Sequence, residues 1–278
     1  MRTIIVFNDN TPAAENAAEF ALDIAQKVQG NILILNLNGV VYYEPVVRQL
    51  LATNQKNANE DLYPVFTMAD HLYGLVTNDE FRPSIDDIDA SEWREQDIAR
   101  LIIRENVWMM VKGVAAQPEI YDTLTRVSTQ SVLNRVACPL LLIPENYRHH
   151  SFTNIAYMAD MRYCMQGIVK YLATLAAAYD ANLVVEHLSM RGLPPLDDGY
   201  ALTMFSEDIA DKIKYDKIYF NNIKERNLDI AIDVMVNNMH TDLLAMVNHN
   251  FHFEEMFGRY ITEVFPEHIP VPAIIFPS

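Results

Sequence analysis

Thr3-Ile4-Ile5-Val6-Phe7-Asn8-Asp9 returns 151 residues later as Asn154-Ile155-Ala156-Tyr157-Met158-Ala159-Asp160. Each copy is a short apolar run that ends in aspartate, the pattern of a strand buried on both faces. The next run keeps the same offset, Asn31-Ile32-Leu33-Ile34-Leu35 against Asn182-Leu183-Val184-Val185-Glu186. Further on the offset falls to 134, where Val107-Trp108-Met109-Met110-Val111 faces Thr241-Asp242-Leu243-Leu244-Ala245. The closing runs also correspond: Cys138-Pro139-Leu140-Leu141-Leu142-Ile143-Pro144 and Val271-Pro272-Ala273-Ile274-Ile275-Phe276-Pro277. Such self-similarity predicts a duplicated domain, divided here as 1–148 and 149–278. The fall in offset places a loss of 17 residues in the segment after the second strand of the second copy.

Between the strands, apolar residues fall at helical spacing. Thr11-Pro12 offers an N-cap and an N1 proline, and Ala17, Phe20, Ala21, Ile24 and Val28 follow, so a helix is predicted over 12–29. Strands are expected at 3–9, 32–37, 85–88, 107–112 and 140–143, with helices over 43–76 (broken or double), 92–105 and 118–135. The second half repeats the order, with strands at 154–160, 182–188, 217–223, 242–247 and 272–276 and helices over 163–180, 200–215, 227–239 and 254–266. Strict alternation of strand and helix implies a parallel sheet with helices on both faces. The apolar strands that close each half are then sheet edges, and an exposed apolar edge invites aggregation. Pairing the two edges with each other removes the problem, so an internal pseudo-dimer through the last strands is predicted; further homodimerisation is left open.

A chain of 278 residues suits about two domains of ~100–200 residues each. The net charge of −16 excludes nucleic acid and anionic membrane surfaces as partners, because both require the opposite field. Two cysteines, Cys138 and Cys164, fall in different halves and build neither a disulfide framework nor a zinc ribbon. No signal-peptide core and no apolar stretch of ~20 residues is present, so a cytoplasmic protein is expected. Glycine is scarce, at eight residues in 278, and no glycine cluster exists to cradle a phosphate.

The runs quoted above resemble the universal stress proteins in their tandem form. The likeness covers nearly the whole chain and rests on Thr3 to Thr11 with Glu15-Asn16-Ala17, on Val132-Leu133 ahead of Cys138 to Pro144, and on Asp242 to His249. It implies an α/β fold of two tandem Rossmann-like (adenine nucleotide alpha hydrolase-like) domains, each a five-stranded parallel sheet flanked by helices. It also implies the strand order 3-2-1-4-5 and pairing through the last strands.

Members of that family that bind ATP carry an aspartate ending strand one and a loop of form Gly-two-Gly-nine-Gly-Ser/Thr after strand four. Asp9 and Asp160 match the aspartate. The loop positions fall on Gly113, Ala116, Arg126 and Val127 in the first half, and on Val247, Asn250, Tyr260 and Ile261 in the second. One glycine of six survives, and both hydroxyls are replaced by β-branched aliphatics. A side chain at such a position occupies volume that a phosphate needs, although Arg126 also offers a phosphate its charge.

The candidate ligand-binding residues are therefore Asp9, Asn10, Gly113, Ala116, Arg126, Asp160, Asn248, His249 and Asn250. For Asp9, holding a ligand and capping the following helix are weighed evenly. For Asp160, beside Met158, Met161 and Tyr163, capping leads. His249, His252 and Glu255 are spaced three apart, which on a helical turn would converge, but a pocket-filling role is preferred and no metal is expected. No nucleophile elbow, Cys/His pair or Walker lysine is found, so no enzyme activity and no resident cofactor are expected. These readings imply a stress-response protein that binds a protein partner or a small ligand other than ATP. The alternative is an adenine-nucleotide sensor holding ATP or AMP in the first half through Asp9 and the Gly113 loop.

Overall fold

A computed structural model describes residues 1–39, 67–76, 81–115, 127–148, 151–189, 192–225, 227–248, 251–257 and 269–278, with the backbone alone at 251 and 252. In the first half β1 (Arg2–Asn8) leads into α1 (Pro12–Val28), β2 (Gly30–Asn36), α2 (Met68–Leu75), β3 (Ile85–Asp89), α3 (Glu95–Arg104), β4 (Met109–Val114), α4 (Thr129–Leu133) and β5 (Leu140–Pro144). The second half runs β6 (Asn154–Ala159), α5 (Gln166–Tyr179), β7 (Asn182–Leu188), α6 (Asp198–Met204), β8 (Ile218–Ile223), α7 (Leu228–Asp233), β9 (Leu243–Val247), α8 (Phe251–Phe257) and β10 (Ala273–Phe276).

The ten strands form one sheet in the order β3-β2-β1-β4-β5-β10-β9-β6-β7-β8. Within each half neighbouring strands are parallel, in the order 3-2-1-4-5 expected from the resemblance. The halves meet where β10 runs antiparallel to β5, with Ala273 opposite Leu142, Ile274 opposite Leu141 and Ile275 opposite Leu140. All six of these side chains are buried. The two apolar edges thus pair with each other, as the aggregation argument required. The connection from β2 to β3 runs from Asn36 to Ile85, whereas that from β7 to β8 runs only from Leu188 to Ile218, which locates the shortened offset.

Alternate residues along each strand serve two cores. On one face Ile4 and Val6 meet Phe20, Ala21 and Ile24 of α1, and the same layer continues through Ile274, Tyr157 and Leu172 into the second half. On the other face Ile5 and Phe7 share a core with Ile98, Ile102, Leu142, Ile275 and Met235. Both layers therefore cross the seam. Two polar contacts reinforce it: Tyr179 on α5 donates its hydroxyl to Asp23 on α1 at 2.7 Å, and Tyr171 donates to the Trp108 carbonyl at 3.0 Å.

Several element bounds differ from the sequence expectation. β4 begins at Met109 rather than Val107: Asn106 turns through φ 47, and Trp108, whose N–H still donates to the Thr3 carbonyl of β1 at 2.8 Å, gives its own carbonyl to the Tyr171 hydroxyl. The helix expected from 163 begins at Gln166, because Asp160 caps a separate 3-10 turn at Met161–Tyr163. The helices expected over 200–215 and 227–239 widen after α6 and α7 into π-helical turns at Phe205–Ile209 and Val234–Asn238. The helix expected from 254 starts earlier, at Phe251. Much of the expected 43–76 and 118–135 helices, and the end of 254–266, lies outside the described residues.

Candidate functional site

Open α/β sheets gather ligands beyond the carboxyl ends of their strands. The sequence places Asp9, Asn10, Gly113, Asp160 and Asn248 there, and the structure gives each of them a partner within the chain. Ala116, Arg126, His249 and Asn250 lie outside the described residues, as do Tyr260 and Ile261.

Asp9 follows β1. Its Oδ1 accepts the Thr11 backbone N–H at 3.1 Å and the Thr11 hydroxyl at 2.6 Å. Thr11 Oγ1 in turn accepts from Ala14 N, which makes Thr11 the N-cap of α1, so the carboxylate braces the cap of the following helix. Its position near the positive end of α1 is favourable for the same reason. Asp9 is still only half-buried. Asn10 adopts φ 65 and spends its side chain on the turn, donating to the Gly39 carbonyl at 3.3 Å and accepting from Asn8.

Gly113 is the surviving loop glycine, and its reason is steric. A Cβ built at this position lies 1.9 Å from the Ala13 carbonyl oxygen and 2.7 Å from Ala14 N. The first turn of α1 crosses β4 backbone to backbone, and only glycine leaves room for it. Val127, where the family loop carries a hydroxyl, is buried in the apolar layer with Val114 and Val132.

Asp160 is the pseudo-equivalent of Asp9 but is fully buried. Arg162 Nε donates to its Oδ1 at 2.7 Å, Arg162 Nη2 to its Oδ2, and the Arg162 backbone N–H also reaches Oδ1. This two-pronged pair raises the Arg162 pKa, chiefly through the hydrogen bond to Asp160. The capping reading preferred for Asp160 matches this geometry, and the structure adds Arg162 as its cation. Beside it, buried His187 accepts the Met161 N–H at Nδ1, which leaves Nε2 as the donor facing Ser189 Oγ at 3.4 Å.

Asn248, after β9, reaches across the seam. Its Oδ1 accepts from Gln130 Nε2 at 3.0 Å and its Nδ2 donates to Asn134 at 2.8 Å, both on or just after α4 of the other half. It is therefore an inter-half clasp.

Glu186 is not among the residues expected from sequence, where it closes an apolar run. It is 1% exposed, and its Oε2 has no hydrogen-bond partner among the described residues. Burial pushes its pKa up to about 7, against a smaller opposing effect from an Asn221 hydrogen bond. Burial likewise pushes the Cys138 and Cys164 thiols up to about 12, so neither supplies a thiolate nucleophile.

Among the described residues one trio brings metal-ligating atoms within 4.8 Å of each other: Glu15, Glu19 and His71. His71 Nε2 lies 3.0 Å from Glu19 Oε1 and 3.9 Å from Glu15 Oε1, and the hydrogen bond to Glu19 leads the causes that raise its pKa. The trio works as an ion pair fastening α2 to α1. The convergence of His249, His252 and Glu255 falls outside the described residues, which hold neither His249 nor the His252 side chain.

No family model matches the sequence, and no curated relative does so. Solved structures do resemble the fold. A universal stress protein from Archaeoglobus fulgidus superposes with a TM-score of 0.58 at 13% identity, covering 99% of this chain and 96% of its own. A putative universal stress protein from Pseudomonas aeruginosa gives 0.50 at 13% identity, covering 100% and 93%. The cytoplasmic domain of a prokaryotic cation chloride cotransporter gives 0.54 at 11% identity, covering 99% and 94%. The chain has the universal stress protein fold, and that fold is found in proteins of more than one kind. Among the described residues, no helix is long and apolar enough to cross a membrane.

Gly113→Ala should lower stability by about 1–3 kcal/mol or more through overpacking against Ala13, whereas Gly74→Ala, whose Cβ enters open space on α2, should leave it unchanged or slightly higher. Thermal melts of the two variants check this, and equal effects would remove the steric account. Glu186 gives a pH signature. Its folded pKa of about 7 exceeds its unconstrained 4.5, so the unfolded chain releases a proton that the native chain retains, and stability falls as pH rises between those values. Glu186→Gln should abolish that fall, gaining about 3 kcal/mol on the native protein across the window, as read from urea titrations at each pH. Parallel pH profiles would refute the assignment.

Proposed function

We propose that this chain is a tandem universal stress protein, a self-paired pseudo-dimer, that does not hold ATP in the family's usual way. It acts in stress response by binding a partner or another small ligand, and it carries out no turnover. The observation that carries this reading is Gly113. The sole glycine left of the family's six loop positions has its open side covered by the Ala13 carbonyl, so it serves helix packing rather than phosphate approach. The second half supports the same conclusion, because Arg162 already neutralises Asp160.

The nucleotide-sensor reading retains one supporting observation: Asp9 stays half-exposed at the end of β1, whereas Asp160 is fully buried. Both readings are tested by thermal shift with ATP and Mg²⁺. The proposal expects no saturable shift, because a ligand that binds only the native state at a hundredfold excess over Kd adds about 2.7 kcal/mol and moves the melt by several degrees. A saturable shift that Asp9→Ala removes would establish the sensor in its place.

A further inference from the structure

Pairing β5 with β10 leaves the ten-stranded sheet with two outer edges, β3 in the first half and β8 in the second. The chain protects them unequally. In a parallel ladder alternate residues turn their N–H and C=O toward the neighbouring strand, and those between turn theirs outward. The Ile32 N–H bonds to the Ser84 carbonyl, so the outward residues of β3 are Ile85, Asp87 and Asp89. The Tyr73 hydroxyl on α2 closes the first, accepting the Ile85 N–H at 2.9 Å and donating to the Ile85 carbonyl at 3.1 Å. The other two are aspartates, and charge along an edge blunts the addition of another strand.

Neither device is present on β8. There the Leu183 N–H bonds to the Lys217 carbonyl, which turns Ile218, Phe220 and Asn222 outward. Among the described residues, no further strand and no side chain takes up their backbone N–H and carbonyl groups. From Ile218 to Ile223 the strand carries no charged residue, and Tyr219 is 50% exposed. An uncharged edge of this kind is a template for pairing.

The strand is complementary to itself. An antiparallel copy turned about a two-fold axis at Phe220 pairs Phe220 with Phe220 and Ile218 with Asn222. All three outward residues of each strand then meet outward residues of the other. The ladder so formed has three residue pairs, as many as join β5 to β10. On the opposite face Tyr219 meets Asn221, so no like charges face each other within it. Just beyond its ends the same axis sets Asp216, which is exposed, opposite Lys224 of the partner subunit. Lys224 also holds Asp198 at 2.7 Å, and its three N–H donors can serve both carboxylates. Moving the axis to Tyr219 would instead set Lys214 against Lys224 of the partner subunit, so charge favours the register at Phe220. Such matching is selective in a chain of net charge −16, whose copies repel one another as whole bodies.

We infer that β8 is a dimerisation edge, to which a second copy of this chain adds its own β8 antiparallel about a two-fold axis at Phe220. The sheet then continues from one subunit into the next, by the device that already joins the two halves. The protected β3 edge disfavours the alternative, in which β8 of one copy joins β3 of another and growth never closes. The contact is independent of which ligand the chain binds.

Sedimentation equilibrium of the full chain, carried into the high micromolar range, tests this. The expected species has twice the 31.8 kDa mass of the chain. Tyr219→Asp, which gives β8 the kind of charge that β3 carries, should weaken self-association at least about tenfold while the far-UV circular dichroism of the fold is retained. Asp216→Lys should weaken it about threefold, and adding Lys224→Glu should recover the loss. A chain that stays monomeric overturns the inference and leaves the edge to a different partner. A dimer indifferent to Tyr219→Asp overturns the assignment to β8. One that responds to Tyr219→Asp but not to the charge exchange overturns the axis at Phe220. Mass that grows past the dimer as concentration rises overturns the closed two-fold arrangement in favour of β8 joined to β3.

Discussion

Everything distinctive about this molecule depends on three residue pairs, in which Leu140, Leu141 and Leu142 face Ile275, Ile274 and Ala273 across an antiparallel ladder. Each half by itself would present an apolar edge strand with unpaired amides. Joining the edges satisfies those groups and lets both apolar layers continue from one half into the other. Reversing the strand direction at the seam has a geometric consequence. It sets the carboxyl end of β10 and the first turn of α5 beside the amino ends of β4 and β5. The contact of Tyr171 with Trp108 exists because of that juxtaposition, and so does the clasp from Asn248 to Gln130 and Asn134.

The carboxyl ends of the strands, where this architecture ordinarily receives ligands, are occupied by the chain's own chemistry. Asp9 holds the cap of α1, Asp160 is matched by Arg162, and Asn248 bridges the halves, so each of these polar candidates serves a contact within the chain. A buried charge is tolerable only when it is paired and hydrogen-bonded, and Asp160 meets that condition without a ligand. Gly113 makes the same point for the backbone. Its missing side chain admits a helix, and the helix then fills the approach.

The frame of the molecule is readable from sequence because both halves carry the same order of strands, so the same signal occurs twice. Strand periodicity, the Thr11-Pro12 cap and the paired closing runs are local or self-repeating features, and edge pairing follows from elementary cost. Contacts between distant residues leave no such signal. Asn248 looks like a loop polar near a pocket, and its partners lie 118 and 114 positions away. Trp108 reads as a strand residue because its apolar neighbours continue the run, and its N–H does reach β1, yet its carbonyl and ring are engaged by Tyr171, 63 positions away. Glu186 closes an otherwise apolar strand, a hint of unusual burial that spacing alone does not evaluate. Arg162 is legible in principle, since an arginine two residues after a buried aspartate is placed to pair with it.

A sheet and two apolar layers that run unbroken through the β5–β10 seam should make the two halves one cooperative unit. Trp93 and Trp108 both belong to the first half, Trp108 at the seam against Tyr171, and the second half has no tryptophan, so tryptophan fluorescence reports on the first half and the seam while far-UV circular dichroism reports on both halves. In urea, the two signals should trace one coincident transition with the same midpoint. A fluorescence transition complete at a urea concentration where part of the dichroism persists would mean that the halves unfold independently, and the seam would not be the element that holds the structure together.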